Sequence, residues 1–464
     1  MGDIVISSDR MIIALIIGLL FLIGMIVKTK IHTFLALIIA AIFIGVAGGM
    51  PYNDVLKSVT EGFGGTLGSI GIIIGFGVMM GQIFEESNAA KRMAYTFLKV
   101  LGKGKEEIAM SITGFLVSIP IFCDSGFVIL APIAKALSKS TGKSIVALGL
   151  SLASGLVITH SVVPPTPGPV GAAGIFGANV GLVILWGIVI AIPMVIATLA
   201  YAKYLGKKIY QLPGEDGEWT RPEKIQEYSD SRINSFEENE MPSAFISFAP
   251  IVLPIILILI NTIISATLKT SGNDANPIQE FLIFLGSPIV AVGIGVLLAT
   301  FTLTGKMDRK ETMRVFEKGI QSAGIIILVT GGGGALGRVL TNSGVGKQIA
   351  EGIAKTSIPA IILPFIIATI IRFIQGSGTV AMLTAASISA PITASLGVDP
   401  VFATLSACIG SLFFSYFNDS FFWVVNRTMG IDEAKEQIRG YSIISTIAWA
   451  TGFITLMIIN PIFG

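Results

Sequence analysis

Ten stretches of about twenty apolar residues each, at 11–27, 31–50, 66–84, 145–163, 180–205, 244–269, 280–303, 322–340, 399–417 and 442–462, run through the chain with mostly short polar connections. A soluble fold has too little interior to hide them, whereas a bilayer accepts each as one crossing helix. Composition agrees. Of 464 residues 53% are hydrophobic and only 13% charged, about half the charged share of an ordinary soluble domain, and the mean hydropathy is +0.82. The expected fold class is therefore an all-α polytopic membrane protein of about ten transmembrane helices, with the lipid bilayer as its surroundings. The first run is followed by Lys28-Thr29-Lys30 without a small-residue cleavage pattern, so it reads as a retained helix rather than a signal peptide. Lys and Arg total 31 against 29 Asp and Glu. That near-balance leaves no basic excess to neutralise a phosphate backbone, and nucleic acid is not an expected partner. The two cysteines, Cys123 and Cys408, lie in apolar runs, which excludes a disulfide framework and a four-cysteine zinc site. Neither a metal centre nor a cofactor is expected.

Two further apolar stretches, 108–137 and 357–397, are interrupted midway. The first break is Pro120-Ile121-Phe122-Cys123-Asp124-Ser125-Gly126 and the second Arg372-Phe373-Ile374-Gln375-Gly376-Ser377-Gly378. Cations collect in 28–30, in 85–107 (Lys91, Arg92, Lys99, Lys103, Lys105) and in 135–143 (Lys135, Lys139, Lys143), and short loops of this kind stay cytoplasmic. With 85–107 and 135–143 on one side, the segment between them cannot cross an odd number of times, so 108–137 is expected to be a re-entrant hairpin. The stretch 357–397 has the same form. Loops 206–241, 304–319 and 427–440 fall on the cytoplasmic side, and both termini on the other.

A shift of 256 positions superposes Glu61 on Glu317, Gly68 on Gly324, Gly75 on Gly331, Gly81 on Gly337 and Ser87 on Ser343. With slightly smaller offsets Ser125-Gly126-Phe127-Val128 meets Ser377-Gly378-Thr379-Val380. Because 85–107 is inside and its counterpart 341–356 outside, the halves are expected to be inverted copies. The first is 1–205, with hairpin 108–137 and a broken helix near 159–169. A polar cytoplasmic linker, 206–241, leads to the second, 242–464, with hairpin 357–397 and a broken helix near 415–420. Such an architecture places a substrate between two interrupted elements.

Irregular backbone at membrane depth must be buried in protein or line a wet cavity. The hairpin tips and the breaks Thr159 through Pro169 and Ser415 through Ser420 each free backbone donors at a half-helix N-terminus, which suits a carboxylate. Hydroxyls and amides nearby suit a polyhydroxylated ligand. The substrate-binding candidates are Ser125, Gly126, His160, Pro165, Thr166, Arg372, Ser377, Gly378, Thr379, Asn418 and Ser420. A charge inside a span costs about 2.5–3.5 kcal/mol on insertion scales and is a functional candidate by default. Asp124 and Asp419 are the ion-coupling candidates; the plainer alternative is a carboxylate permanently paired with Arg or capping a half-helix. Arg372 offers a bidentate fork to a substrate carboxylate, or pairs with an internal Asp. His160 is an imidazole that a proton-coupled carrier can use, or a packed hydrogen-bonding residue. Arg338, near a span end, reads as snorkelling to the headgroups. Gly332-x-Gly334-x-x-Gly337 imitates a dinucleotide fingerprint, but its counterpart at Gly75, Gly77 and Gly81 lacks the pattern, which leaves close helix packing. Gly376-Ser377-Gly378 with His160 imitates a hydrolase dyad; the repeated Ser125-Gly126 argues for a duplicated binding element and not an enzyme.

Nearly end to end, these motifs resemble those of the gluconate permease family, gluconate:proton symporters within the ion transporter superfamily. The resemblance is carried by Gly62 through Gly71, Asp124-Ser125-Gly126-Phe127-Val128, and His160 through Pro169 with Ala172-Ala173-Gly174-Ile175. In the second half it is carried by Asn342-Ser343-Gly344-Val345-Gly346, Gly376 through Met382, and Asn418-Asp419-Ser420-Phe421-Phe422-Trp423. It implies proton-coupled uptake of a small hydroxy acid, gluconate or a related aldonate, with D-serine and glycerate carriers as relatives. Analogy with the superfamily implies a homodimer in which a hairpin-bearing domain moves against a scaffold. Ser125, Thr166 and Gly378 depart from the family pattern beside the inferred site, which bears on the exact substrate.

The expectation is thus a secondary active transporter of a bacterial inner membrane that imports a small organic anion with one or more protons by alternating access. No ATP-binding motif is present, so an ion gradient must drive it. A sodium-coupled carrier, with hydroxyls and carbonyls ligating the cation, is the first alternative, beside a D-serine or glycerate carrier of the same family. A passive channel and an intramembrane hydrolase are less favoured.

Overall fold

A helix begins most readily where a side chain can satisfy its first free N–H groups, and the apolar runs of this chain are punctuated by such residues. The computed structural model describes residues 8–464 except 30, 102–103, 215–217, 223–240, 272–273, 306, 346–358 and 417–418. The first half holds α1 (Ser8–Lys28), α2 (Thr33–Gly48), α3 (Tyr52–Glu86), α4 (Ala89–Leu101), α5 (Glu106–Val117), α6 (Cys123–Thr141), α7 (Ile145–Val162), α8 (Pro167–Phe176) and α9 (Val180–Lys208). A small antiparallel ribbon follows, β1 (Leu212–Pro213) paired with β2 (Trp219–Thr220). Then come α10 (Ala244–Ser271), α11 (Pro277–Leu285), α12 (Pro288–Leu303), α13 (Arg309–Asn342), α14 (Ile362–Gln375), α15 (Gly378–Ser395), α16 (Pro400–Gly410), α17 (Ser420–Thr428) and α18 (Ala434–Gln437). A π-helical turn, Ile438–Ser442, leads into α19 (Ile443–Phe463).

Local chemistry explains the boundaries. Asn276 and Asp308 each head a reciprocal cap with Gln279 and Glu311, so α11 and α13 start with their outermost donors satisfied. Ser144 caps α7 and Asn179 caps α9, while Pro167, lacking an N–H, opens α8 at no cost. By length and apolar character Ile145–Phe176, Val180–Lys208, Ala244–Ser265 and Ala434–Phe463 can each cross a membrane; two bent pairs, Tyr52–Gly68 with Gly71–Glu86 and Pro277–Leu285 with Pro288–Leu303, raise the number to six among the described residues. The runs 66–84 and 322–340 are parts of longer helices. Polar segments before them stay helical, so α3 reaches back to Tyr52 and α13 to Arg309. The stretch 85–107 is likewise not simply a loop: Ala89, Ala90, Met93, Ala94 and Leu98 form one buried stripe of α4.

Small residues bring helices together where lipid offers no hydrophobic drive. A Cβ on Gly62 would lie 2.9 Å from the Ala335 Cα, so α3 and α13 touch backbone to backbone. The Gly332–Gly337 segment is therefore a helix contact and not a phosphate turn. The pair runs antiparallel, with Lys318 near Glu86 at 3.2 Å at one end and Arg338 near Glu61 at 3.7 Å at the other. Arg338, expected to snorkel alone, has this carboxylate beside it. Apart from His160, every residue of α7 is buried. This helix packs tightly on α5, since a Cβ on Gly114 would meet the Leu152 carbonyl oxygen at 2.5 Å.

The cation-rich end is held by polar clamps. The part of 206–241 that is described folds back as a strap. Arg221 grips Glu436 through both terminal nitrogens, at 3.0 and 2.7 Å, and donates from Nε to Gln211 at 2.8 Å. Gln211 in turn donates to the Met429 carbonyl at 2.6 Å, and Lys135 lies 5.2 Å over the Trp219 ring. Nearby, Lys143 joins the two ends of the 108–137 stretch, pairing with Glu106 at 2.8 Å and with Glu107. Both carboxylates are buried. Burial opposes the charge on Glu106, but Lys143 and the Gly104 N–H outweigh it and hold the carboxyl below its ordinary value. Burial also opposes the charge on Lys143, and the two glutamates outweigh it, so the amine sits above its ordinary value.

Glu106 thus contributes stability that is present above the usual carboxyl range and lost as pH falls through its lowered folded value; Lys143 contributes stability that is lost only as pH rises through its raised one. Lys143→Met should lower unfolding stability by about 3 kcal/mol, read as a drop in melting temperature in detergent. It should also blunt the acid limb of the stability curve; a variant melting like the parent at pH 7 would remove the clamp from the stability account.

Candidate functional site

Four interruptions break the helical runs, and three of them meet at one cavity with the last turns of α7. Between α5 and α6 the chain turns through 118–122, and α6 restarts at Cys123. Between α14 and α15, Gly376 adopts φ +90, a conformation that a side chain would strain, and Ser377 caps the new helix. Between α7 and α8 lies the Val163–Thr166 turn, with a cis Pro164–Pro165 bond. Between α16 and α17 the chain is irregular at 411–416 and at 419. The first, second and fourth of these breaks enclose, with α7, a cavity of about 350 Å³.

Asp124, His160, Arg372, Ser377, Gly378, Thr379, Asp419 and Ser420 all line it. Eight residues singled out in the sequence, drawn from four separate stretches, therefore meet at one place. Four other expected site residues, Ser125, Gly126, Pro165 and Thr166, do not line it. Gly126 packs against α7, where a Cβ would press on Leu156 at 2.8 Å. Thr166 is buried and donates its hydroxyl to the Val163 carbonyl at 2.7 Å, closing its own turn. Pro165 sits against Gly77 of α3, and Ser125 is half-buried beside the cavity without lining it. Asn418 lies outside the described residues.

The charges are arranged unequally. Arg372 and Asp419, both buried, form an ion pair at 2.7 Å. Arg372 also donates to the Gly376 carbonyl, folding over the break it precedes. Asp419 accepts from Ser415 and, at 3.1 Å, from the Phe421 N–H, so it caps α17 as well as neutralising the arginine. Of the guanidinium nitrogens, Nε has no partner among the described residues. The fork expected to hold a substrate carboxylate is thus engaged internally, leaving Nε as its free donor. Asp124 has no cation paired with it among the described residues; it accepts from Ser420 at 3.0 Å and from the Cys123 thiol at 3.6 Å. His160 leans on the Phe122 ring at 5.7 Å, and its Nδ1 has no partner.

Tyr441, Ser445, Ser411 and Phe122 complete the wall and were not singled out in the sequence. Ser445 accepts from the Ser415 N–H at 3.0 Å, holding the chain just after α16. Tyr441 and Ser445 sit at the edge of an apolar run, and a single glycine, Gly440, with no polar interruption beside it is too common a signal to mark them. Chemically, the cavity offers two helix N-termini, hydroxyls, one unpaired carboxylate and one internally neutralised arginine. Helix N-termini and hydroxyls are groups that suit a small anion with hydroxyl groups.

Residues 10–462 match the sequence profile described as GntP family permease. A Haemophilus influenzae protein described as an uncharacterized permease is 50% identical over 455 residues, covering 98% of this chain and 93% of its own. The high-affinity gluconate transporter of Escherichia coli is 33% identical over 453 residues, covering 96% and 98%. Among solved structures, MtrF of Neisseria gonorrhoeae superposes with a TM-score of 0.65 at 12% identity, covering 95% of this chain and 97% of its own, a likeness of fold alone. These relatives are permeases, not enzymes, which sets aside the hydrolase reading of Ser377 and His160.

Removing the arginine should expose the cost of its partner. Arg372→Met leaves Asp419 buried without a cation and should lower thermal stability by about 3 kcal/mol, and adding Asp419→Asn should restore most of it. Thermal unfolding of the purified variants decides the matter: a single variant as stable as the parent would show that the pair carries no structural load.

Proposed function

This chain belongs to the GntP family of permeases, and from that premise we propose that it imports a small hydroxy-carboxylate, gluconate or a related sugar acid, by proton symport. A multi-pass membrane protein of this kind works across a bacterial inner membrane, and a homodimer is the proposed assembly. The observation that carries the reading is the unpaired Asp124 carboxylate in a cavity otherwise suited to an anion. An anionic substrate entering beside an ionised Asp124 meets a like charge, which disfavours both charges being present together. Protonation of Asp124 removes that conflict. Substrate and proton then bind as linked events, each raising the affinity for the other.

The two hairpin tips and the two helix breaks supply the remaining elements. In the proposed architecture residues 1–205 and 242–464 are inverted copies, and the site lies between their interrupted elements. Rocking or sliding of the hairpin-bearing part then opens the site to each side in turn. The N-termini of α6 and α15 favour the substrate carboxylate, while Ser377, Thr379 and Ser420 suit its hydroxyl groups.

Uptake of labelled gluconate into proteoliposomes tests the proposal. An imposed inward proton gradient should drive accumulation without sodium, and a protonophore should abolish it. Asp124→Asn should lose accumulation at least tenfold while retaining downhill exchange. Accumulation that follows sodium instead of protons, or survives unchanged in Asp124→Asn, would overturn proton coupling at this carboxylate.

A further inference from the structure

Between α18 and α19 the helix widens into the π-helical turn Ile438–Ser442. A π-turn inserts one residue into a helix and rotates the following side chains, and such turns occur often at functional sites. Here Tyr441 falls within that turn and forms part of the cavity wall. Its ring is fully buried and held edge-on by Phe421 at 5.1 Å, which itself stands edge-on to Phe127 at 5.9 Å. The ring is therefore fixed by packing alone. Its hydroxyl has no hydrogen-bond partner among the described residues.

A buried hydroxyl left unsatisfied costs about 1–3 kcal/mol. Phenylalanine would fill the same space without that cost and would keep the edge-on contact with Phe421. Arg372 Nε and His160 Nδ1 are also buried and without partners in the same cavity wall. Three unsatisfied polar groups around one cavity are the arrangement expected when the missing partner is the ligand.

We propose that Tyr441 is a substrate-recognition residue whose phenolic O–H donates a hydrogen bond to one hydroxyl oxygen of the bound hydroxy acid, so that it selects hydroxylated over deoxy acids. The proposal rests on the carrier reading given above and deepens it. Carboxylate binding falls to the helix N-termini and to Arg372 Nε, and hydroxyl reading to Tyr441. A site built around such a bond rejects ligands that lack the matching hydroxyl because its own polar group is then left unpaired.

Binding of gluconate and of a panel of monodeoxygluconates to purified parent and Tyr441→Phe, by calorimetry, tests this. Tyr441→Phe should weaken gluconate about tenfold, yet bind at least one monodeoxy analogue within twofold of the parent, the signature of a coupled pair of hydroxyls. Without ligand, Tyr441→Phe should melt at or above the parental temperature, because an unpaired hydroxyl has been removed. Parental affinity for the whole panel, uniform weakening across it, or a ligand-free variant that melts lower or fails to fold would each overturn the assignment. If the parent itself binds none of these acids, the hydroxy-acid reading fails instead, which separates the two failures.

Discussion

Interrupted helices at membrane depth persist only where the freed backbone and the charges beside it find partners within the protein. In this chain the central partner is the buried pair of Arg372 and Asp419. It ties the last turn of α14 to the cap of α17, two breaks separated by 47 residues. Around it the Gly376 carbonyl, Ser415 and the Phe421 N–H absorb the remaining donors and acceptors. Without that network an arginine and a carboxylate would be left bare in a low-dielectric interior, and neither break would hold its shape.

The same pairing governs what the cavity can bind. Since Arg372 is already neutralised, an incoming anion meets partial positive charge from helix ends more than a free cation. Asp124 accepts from a hydroxyl, a thiol and its own backbone N–H, with no cation beside it among the described residues. This imbalance underlies the proposed link between anion and proton: the wall lacks a spare positive charge, and a proton is the simplest one to bring.

Stability and function are drawn from different parts of the molecule. The ends carry ion clusters around Lys143 and Arg221. The long helices are zipped by small residues such as Gly62 and Gly114. The cavity wall, too, keeps buried polar atoms without partners among the described residues: Arg372 Nε, His160 Nδ1 and the Tyr441 hydroxyl. A fold that leaves such groups unsatisfied gives up stability locally, and a binding site is the usual reason for doing so.

Much of this was legible in the sequence because hydrocarbon imposes strict rules. Apolar runs had to become helices, and Pro120, Gly376 and the Pro164–Pro165 pair had to mark breaks, since they remove donors or fix the backbone. Charges too costly to be accidental named Asp124, Arg372 and Asp419 before any contact was visible. What no local pattern could tell is which charges meet. Arg372 offered a fork equally suited to a substrate or to an internal Asp, and only the approach of α14 to α17 decided for Asp419. Thr166 read as a ligand yet turned its hydroxyl onto Val163, because a short turn can satisfy itself. Tyr441 looked like the rim of an ordinary span and was carried to the cavity wall by a π-turn. Hydrophobicity and backbone chemistry act along the chain and can be read there; pairing and orientation depend on neighbours hundreds of residues away, and the tertiary structure alone supplies them.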